Sequence, residues 1–282
     1  MNRSIKLAAL ALAILAPATA IAQNDERVDQ GVYAGDYLTV GAGGFYGPSY
    51  EGSDDYVLFP APLVQGRLLG VTISPRAGGV ALDLVPDGND AKVGFSLGPV
   101  ATIRRDRASH IKDPVVKTLG KLDTAVEVGA NAGVTVYDLL TGYDSVTLSA
   151  DARWDVAGAH KGMIWGPSLS YFTPVSKGAA INLALSAEHM DGDFADYYFT
   201  VTPAGSAVSG LPAYQAGSGW KNMGVNLLAG IDFDGDLTNG GLAGFVTGGY
   251  TRMLGDAKRT PLTSIRGDKN QWLVGAGLAF TF

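Results

Sequence analysis

Apolar residues fall at every second position along most of this chain. From Gln271 to the last residue, Trp272, Val274, Ala276, Leu278, Phe280 and Phe282 share one phase, while Gln271, Gly275, Gly277, Ala279 and Thr281 share the other. Leu273 is the one large apolar side chain out of step there. Val146, Leu148, Ala150, Ala152, Trp154 and Val156 alternate in the same way with Thr147, Ser149, Asp151, Arg153 and Asp155. Similar runs cover 93–103, 126–136, 181–188 and 223–233. A period of two is the mark of a strand with two unlike faces. Runs of roughly 11 to 14 residues exceed the usual globular strand of about 5 to 6, and match the 9 to 11 that a tilted strand needs to cross a bilayer.

This pattern predicts an all-β fold, a transmembrane antiparallel barrel of about 12 strands, within a range of roughly 10 to 14. The expected strands are 36–46, 56–65, 68–74, 79–85, 91–103, 124–137, 145–157, 163–173, 179–190, 221–234, 241–254 and 270–282. Pro60, Pro62 and Pro75 make the segments between 56 and 85 the least regular. An even count leaves both termini on the periplasmic side. The long connections 47–55, 104–123, 191–220 and 255–269 then share the outer side, and the short ones at 86–90, 138–144, 174–178 and 235–240 the periplasmic side, the usual asymmetry of such barrels. Trp154, Trp272, Phe280, Phe282, Tyr37 and Tyr46 near strand ends suit aromatic girdles. Trp272, Phe280 and Phe282 also form the C-terminal pattern expected of a barrel-assembly signal. The many Gly on the other face fit a narrow lumen shared with long polar side chains. A large secreted sandwich is the competing fold.

The first 22 residues read as a secretory signal peptide: Arg3 and Lys6, an apolar run from Leu7 to Leu15, and an A-x-A site formed by Ala20 and Ala22. The organisation expected is a signal over 1–22, a periplasmic segment over 23–35 and the barrel over 36–282. Of 282 residues, 17% are charged and 39 are Gly, the latter about twice the ordinary share. The absence of Cys excludes disulfides, thiol chemistry and Cys-bound zinc. A net charge of −6 gives no overall footprint for nucleic acid.

Candidate chemistry is sparse. No G-x-S-x-G, Walker A or H-E-x-x-H sequence occurs, and His110, His160 and His189 have no local Ser and carboxylate partners. No catalytic residue, cofactor or metal is therefore assigned. Asp232–Asp236 has calcium-loop spacing but lacks the distal Glu, and reads as a hairpin turn. His189, Asp191, Asp193 and Asp196 read as a solvated loop. Arg104, Arg105, Arg107, Lys112, Lys117 and Lys121 give one outer loop a basic excess suited to lipopolysaccharide phosphates or simply to water. Lys92, Glu127, Asp151, Arg153, Asp155 and Glu188 fall in the inward phase, where charges must be paired or hydrated. They line a water-filled path or form a salt-bridged plug.

Three segments carry a family resemblance. Pro48-Ser49-Tyr50-Glu51-Gly52-Ser53-Asp54-Asp55-Tyr56 resembles the N-terminal signature of the MipA/OmpV family, the MltA-interacting proteins of the Gram-negative outer membrane. Tyr197 to Pro203, followed by Gly210, Leu211, Pro212, Tyr214, Gly217 and Gly219, is similar to its second signature. Lys269-Asn270-Gln271-Trp272 leading to the terminal Phe-Thr-Phe is the third match. The resemblance implies an outer-membrane barrel among lipids and lipopolysaccharide. It also implies a scaffold between a murein lytic transglycosylase and a bifunctional penicillin-binding protein. A narrow channel for small solutes is the alternative. The signatures fall in expected outer loops, whereas murein enzymes lie on the periplasmic side.

Overall fold

The computed structural model describes residues 31–86 and 91–282. The expected signal over 1–22, with Ala20 and Ala22, and most of the segment 23–35 lie outside the described residues. After a short 3-10 turn at Gly31–Ala34, the strands are β1 (Tyr37–Pro48), β2 (Tyr56–Leu68), β3 (Val71–Arg76), β4 (Gly79–Asp83), β5 (Val93–Arg104), β6 (Ala125–Tyr137), β7 (Ser145–Asp155), β8 (Met163–Ser176), β9 (Ala179–Met190), β10 (Gly219–Asp232), β11 (Gly241–Met253) and β12 (Asn270–Thr281). Each pairs antiparallel with its sequence neighbours. β1 closes on β12 with Val40 opposite Phe280, so the twelve strands form a closed barrel.

The alternation sorts side chains as the sequence predicts. Val93, Phe95, Leu97, Val128, Leu148, Leu185, Leu227, Val246, Val274 and Leu278 stand exposed on the outside. Trp272 lies against Tyr250 and Trp165 against Trp220 near one end, while Phe280 lies against Phe282 at the other. An apolar belt between two aromatic girdles is what hydrocarbon selects.

Most strands run 11 to 14 residues, but β3 and β4 have only 6 and 5. Pro60 and Pro62 lie within β2, in register with Gly44 and Ala42 of β1. Beyond Gly66 toward Tyr56, β2 has no ladder partner on its other side. The missing proline donors therefore cost no ladder bond there. Leu69 and Gly70, at φ of 53° and 80°, make the tight hairpin between β2 and β3.

The inner glycines correct one expectation. A Cβ on Gly275 would lie 2.4 Å from Cδ1 of Phe45, and one on Gly277 would lie 2.5 Å from Cζ of Phe245. These glycines accommodate aromatic rings inside the barrel rather than long polar side chains.

The two ends differ. At one, the connections are short turns. At the other, they hold α1 (Pro114–Thr118), α2 (Gly192–Phe199), α3 (Pro203–Ser209), α4 (Gly255–Arg259) and α5 (Pro261–Ser264). Asp113, Asp191 and Thr202 cap the first three helices through their side chains, and Pro occupies the first turn of α1, α3 and α5. Phe194, Tyr198 and Phe199 of α2 pack with Ile164, Met190 and Met253 from the strand ends. Tyr50, Ile111, Val116, Val201, Leu211 and Leu262 form a second apolar cluster. The loops thus make a folded cap with its own core.

Candidate functional site

Beneath α2, the mouth of the barrel holds a compact set of charges. Lys221 at the start of β10 donates to both oxygens of Glu51, at 2.8 and 2.7 Å, and lies 2.7 Å from Oε2 of Glu188. Arg104 at the end of β5 reaches Glu51 Oε1 at 2.7 Å and Glu127 Oε1 at 2.6 Å. Arg153 of β7 lies 2.9 Å from Glu188 Oε1 and 3.4 Å from Glu127 Oε2, and donates to Thr102 Oγ1 at 3.1 Å. Three carboxylates face two guanidinium groups and one lysine, so the formal charges cancel within the cluster. Glu127 and Lys221 are 0% exposed, a burial that only such multiple pairing sustains.

The Phe194 ring closes the cluster from above, its centroid 5.1 Å from Cζ of Arg104 and 5.4 Å from Nζ of Lys221. Two cations on one desolvated face add cation–π attraction and exclude water. His160 completes the set. Its Nδ1 accepts the Gly162 N–H at 3.1 Å, which leaves the ring proton on Nε2, 3.4 Å from Glu127 Oε1.

Of the inward-phase charges named from the sequence, Glu127, Arg153 and Glu188 meet in this cluster. Asp151 lies apart, paired with Arg76 of β3 at 2.7 Å. Asp155 accepts the Ala157 and Lys161 N–H groups and shapes the turn after β7. Lys92 differs from the expectation. It precedes β5 at the opposite end, exposed and paired with Asp138 at 2.8 Å, because the strand begins at Val93, two residues later than expected.

Arg104 also departs from its sequence reading. Grouped there with a surface basic loop, it continues the inward phase of Val100 and Thr102 on β5. Arg107 is likewise buried and donates to the Tyr198 carbonyl at 3.1 Å. Arg105, Lys112, Lys117 and Lys121 remain exposed. Glu51, Lys221 and His160 were not identified as cluster members from sequence. Lys221 was hidden by a register shift between Trp220 and Asn222, which turns an odd-numbered residue inward among even-numbered ones.

The signature residues knit the cap to the barrel. Pro48 ends β1 rather than lying in the loop. The buried Tyr50 hydroxyl donates to the Leu262 and Arg266 carbonyls. Gly52, at φ of 96°, donates its N–H to Gln271 Oε1 at 3.2 Å, while Gln271 donates to the Ser53 carbonyl at 3.0 Å. Asp54 is exposed. Gly210 ends α3 in a left-handed conformation, and Leu211 is buried while Pro212 is exposed. Tyr214 Oη donates to Asp256 Oδ1 at 2.8 Å and Gly217 N to Oδ2 at 2.7 Å; Gly219 begins β10. Trp272, Phe280 and Phe282 point outward on the last strand and the terminus.

Asp106 and Asp113 in the same cap are driven in opposite directions. Burial, reinforced by the Glu51 charge, pushes the Asp106 carboxyl up to about 6. Burial would also raise Asp113, but its hydrogen bond to Arg266 and the Val115 and Val116 N–H groups bring it below the ordinary carboxylate range.

Toward the turns, the lumen changes character. Ser96, Thr135, Thr147, Ser149, Ser168 and Ser170 face inward and are only half-buried. Among the described residues, no group of three His, Asp or Glu is placed to hold a metal.

These features define a closed, antiparallel twelve-stranded barrel, apolar outside and plugged at one mouth. The family described as MltA-interacting protein MipA matches residues 40–282, and the chain belongs to it. Among solved structures, the chain is similar to outer-membrane expressed OmpT of Vibrio cholerae, at 8% identity over 88% of this chain and 97% of that one, with a TM-score of 0.36. An outer membrane channel from Pseudomonas putida F1 matches at 11% identity over 88% and 96%, with a TM-score of 0.37. The outer membrane channel DcaP of Acinetobacter baumannii matches at 10% over 88% and 95%, with a TM-score of 0.32. No curated protein matches the chain.

Proposed function

We propose that this chain is a Gram-negative outer-membrane barrel that docks murein enzymes and does not act as an open pore. The observation that carries the reading is the sealed mouth: Glu127 and Lys221 are wholly buried beneath the apolar core of the cap. A conducting path through that end requires the paired charges and α2 to move together. The family description supports a partner that is a murein lytic transglycosylase, and the resemblance adds a bifunctional penicillin-binding protein. We assign the chain no catalytic activity. The short-turn end supplies the contact surface in this reading, with Leu69 92% exposed and Leu140 and Tyr143 also standing out.

Capture tests it. A tagged barrel folded in detergent retains a purified lytic transglycosylase, and shows no steady conductance in planar bilayers. Failure to retain the enzyme removes the docking role. A steady unitary conductance removes the sealed-mouth argument and favours a narrow pore.

A further inference from the structure

The lumen below the ion cluster is a second region whose chemistry the docking role does not use. Across successive ladders, Ser96 of β5 lies level with Gly133, then Ser149, Ser168 and Ser186, on strands β5 to β9. One inward step closer to the turns, Thr135, Thr147 and Ser170 form the next row. Among the described residues, the hydroxyls of Ser149, Ser168, Ser170 and Ser186 have no hydrogen-bond partner, and Ser186 is exposed. Each offers one donor and two acceptor sites.

The other side of the ring is aromatic. Phe45 stacks on Phe59 with centroids 5.9 Å apart, and Phe245 lies 6.5 Å from Phe45. β11, which carries Phe245, is six strands from β5 in a ring of twelve and so stands opposite it. The glycines at 275 and 277 preserve the space these rings occupy. Water satisfies a hydroxyl wall, but gains nothing from an aromatic one. A pyranose satisfies both, with hydroxyls on its edge and C–H groups on its face.

We propose that this half-lumen is a binding well for a neutral oligosaccharide, entered from the short-turn end and blind at the ion cluster. The well goes beyond the docking role and does not require it. Lack of fixed charge on the rows selects against anionic sugars only weakly. The walls define the class as uncharged and polyhydroxylated, with N-acetylated and plain glucans as its two sources.

Calorimetry on the full folded barrel in detergent tests this with tetra-N-acetylchitotetraose and maltotetraose as probes. Saturable binding of one or both is expected, weakened by about tenfold or more in Ser168→Leu and in Phe59→Ala, the equivalent of about 1.4 kcal/mol. Leu169→Ala, which alters the neighbouring outward position, leaves binding unchanged. Should Ser168→Leu fail to give the folded barrel, Ser149→Leu replaces it. The preferred probe identifies the source. Absence of saturable binding by the folded wild-type barrel overturns the proposal. So does binding that the folded leucine variant and Phe59→Ala leave intact. Either result stands apart from enzyme capture, which reads the docking role separately.

Discussion

The two halves of the barrel interior solve opposite problems with the same alternating strands. Near the cap, the inward positions are Thr102, Glu127, Arg153, Ile164, Met190 and Met253, all buried. Near the turns, the inward positions of β5 to β9 include serine, threonine and glycine, several of them left within reach of water. The first half holds ionised groups away from solvent and must pair every one. The second keeps neutral hydroxyls that lose little whether or not a partner is present. A charged interior is therefore no sign of a wet path: the wholly buried charges mark the plug, and the half-buried hydroxyls mark the space.

The largest expected effect follows from unbalancing the plug. Glu127→Gln leaves Arg104 and Arg153 short of a carboxylate in a site closed to water, and should cost about 3 kcal/mol or more. Lys221→Met should act similarly, since Glu51 and Glu188 each lose an ion pair of 2.7 Å. Ser149→Ala, in the other half, should change stability by no more than about 0.5 kcal/mol. Thermal unfolding of the detergent-folded barrel measures all three. Equal losses in the two halves would erase the distinction drawn between them.

Much of this division was legible in the sequence. Twelve strands, their order and most of their bounds follow from apolar period alone, because hydrocarbon outside the wall leaves little else to decide. The plug was only half legible. Glu127, Arg153 and Glu188 keep strict phase, and Arg104 does too, yet its place beside Arg105 and Arg107 made it look like part of a surface loop. Lys221 depends on a bulge, which no pattern of apolar residues announces. The cap helices are legible only at their starts, where Asp113-Pro114, Thr202-Pro203 and Thr260-Pro261 set a capping residue before proline. Their apolar residues pack on strand ends rather than along a long helical face, so no sustained helical period accompanies them.

A smaller effect sharpens the role of the inner glycines. Gly275→Val places a branched side chain where Phe45 lies 2.4 Å from the new Cβ, and overpacking of this kind costs about 1 to 3 kcal/mol. Adding Phe45→Ala should recover part of the loss, and a double-mutant cycle on thermal unfolding reads the coupling. Strict additivity would mean that the ring is not what the glycine accommodates. Asp191→Ala should have a more local effect. It removes the acceptor of the Phe194 and Met163 N–H groups and should loosen α2 by about 1 kcal/mol. Hydrogen exchange should rise across 192–199 while the turn-end strands keep their protection. A uniform rise along the barrel would show that cap and wall unfold as one unit.

The smallest effect is a pH dependence confined to the cap. Asp106 accepts the Glu51 N–H at 2.7 Å, and burial followed by the Glu51 charge raises its carboxyl to about 6. Between the ordinary carboxylate value of about 4 and that raised one, the folded chain retains a proton that the unfolded chain has released. This contribution therefore favours the cap at the acid end of the window and fades as pH rises through it. Asp113, held low through Arg266 and two backbone donors, contributes in the opposite sense: its stabilisation is present above the ordinary value and is lost as pH falls through the lowered one. Asp106→Asn should flatten the first slope and leave the second, when cap protection is followed by hydrogen exchange from about pH 2 to pH 7 and corrected for the intrinsic rate. A first slope that survives the substitution would assign the proton to another group, and would separate the Asp106 loop from the Glu51 end of the plug.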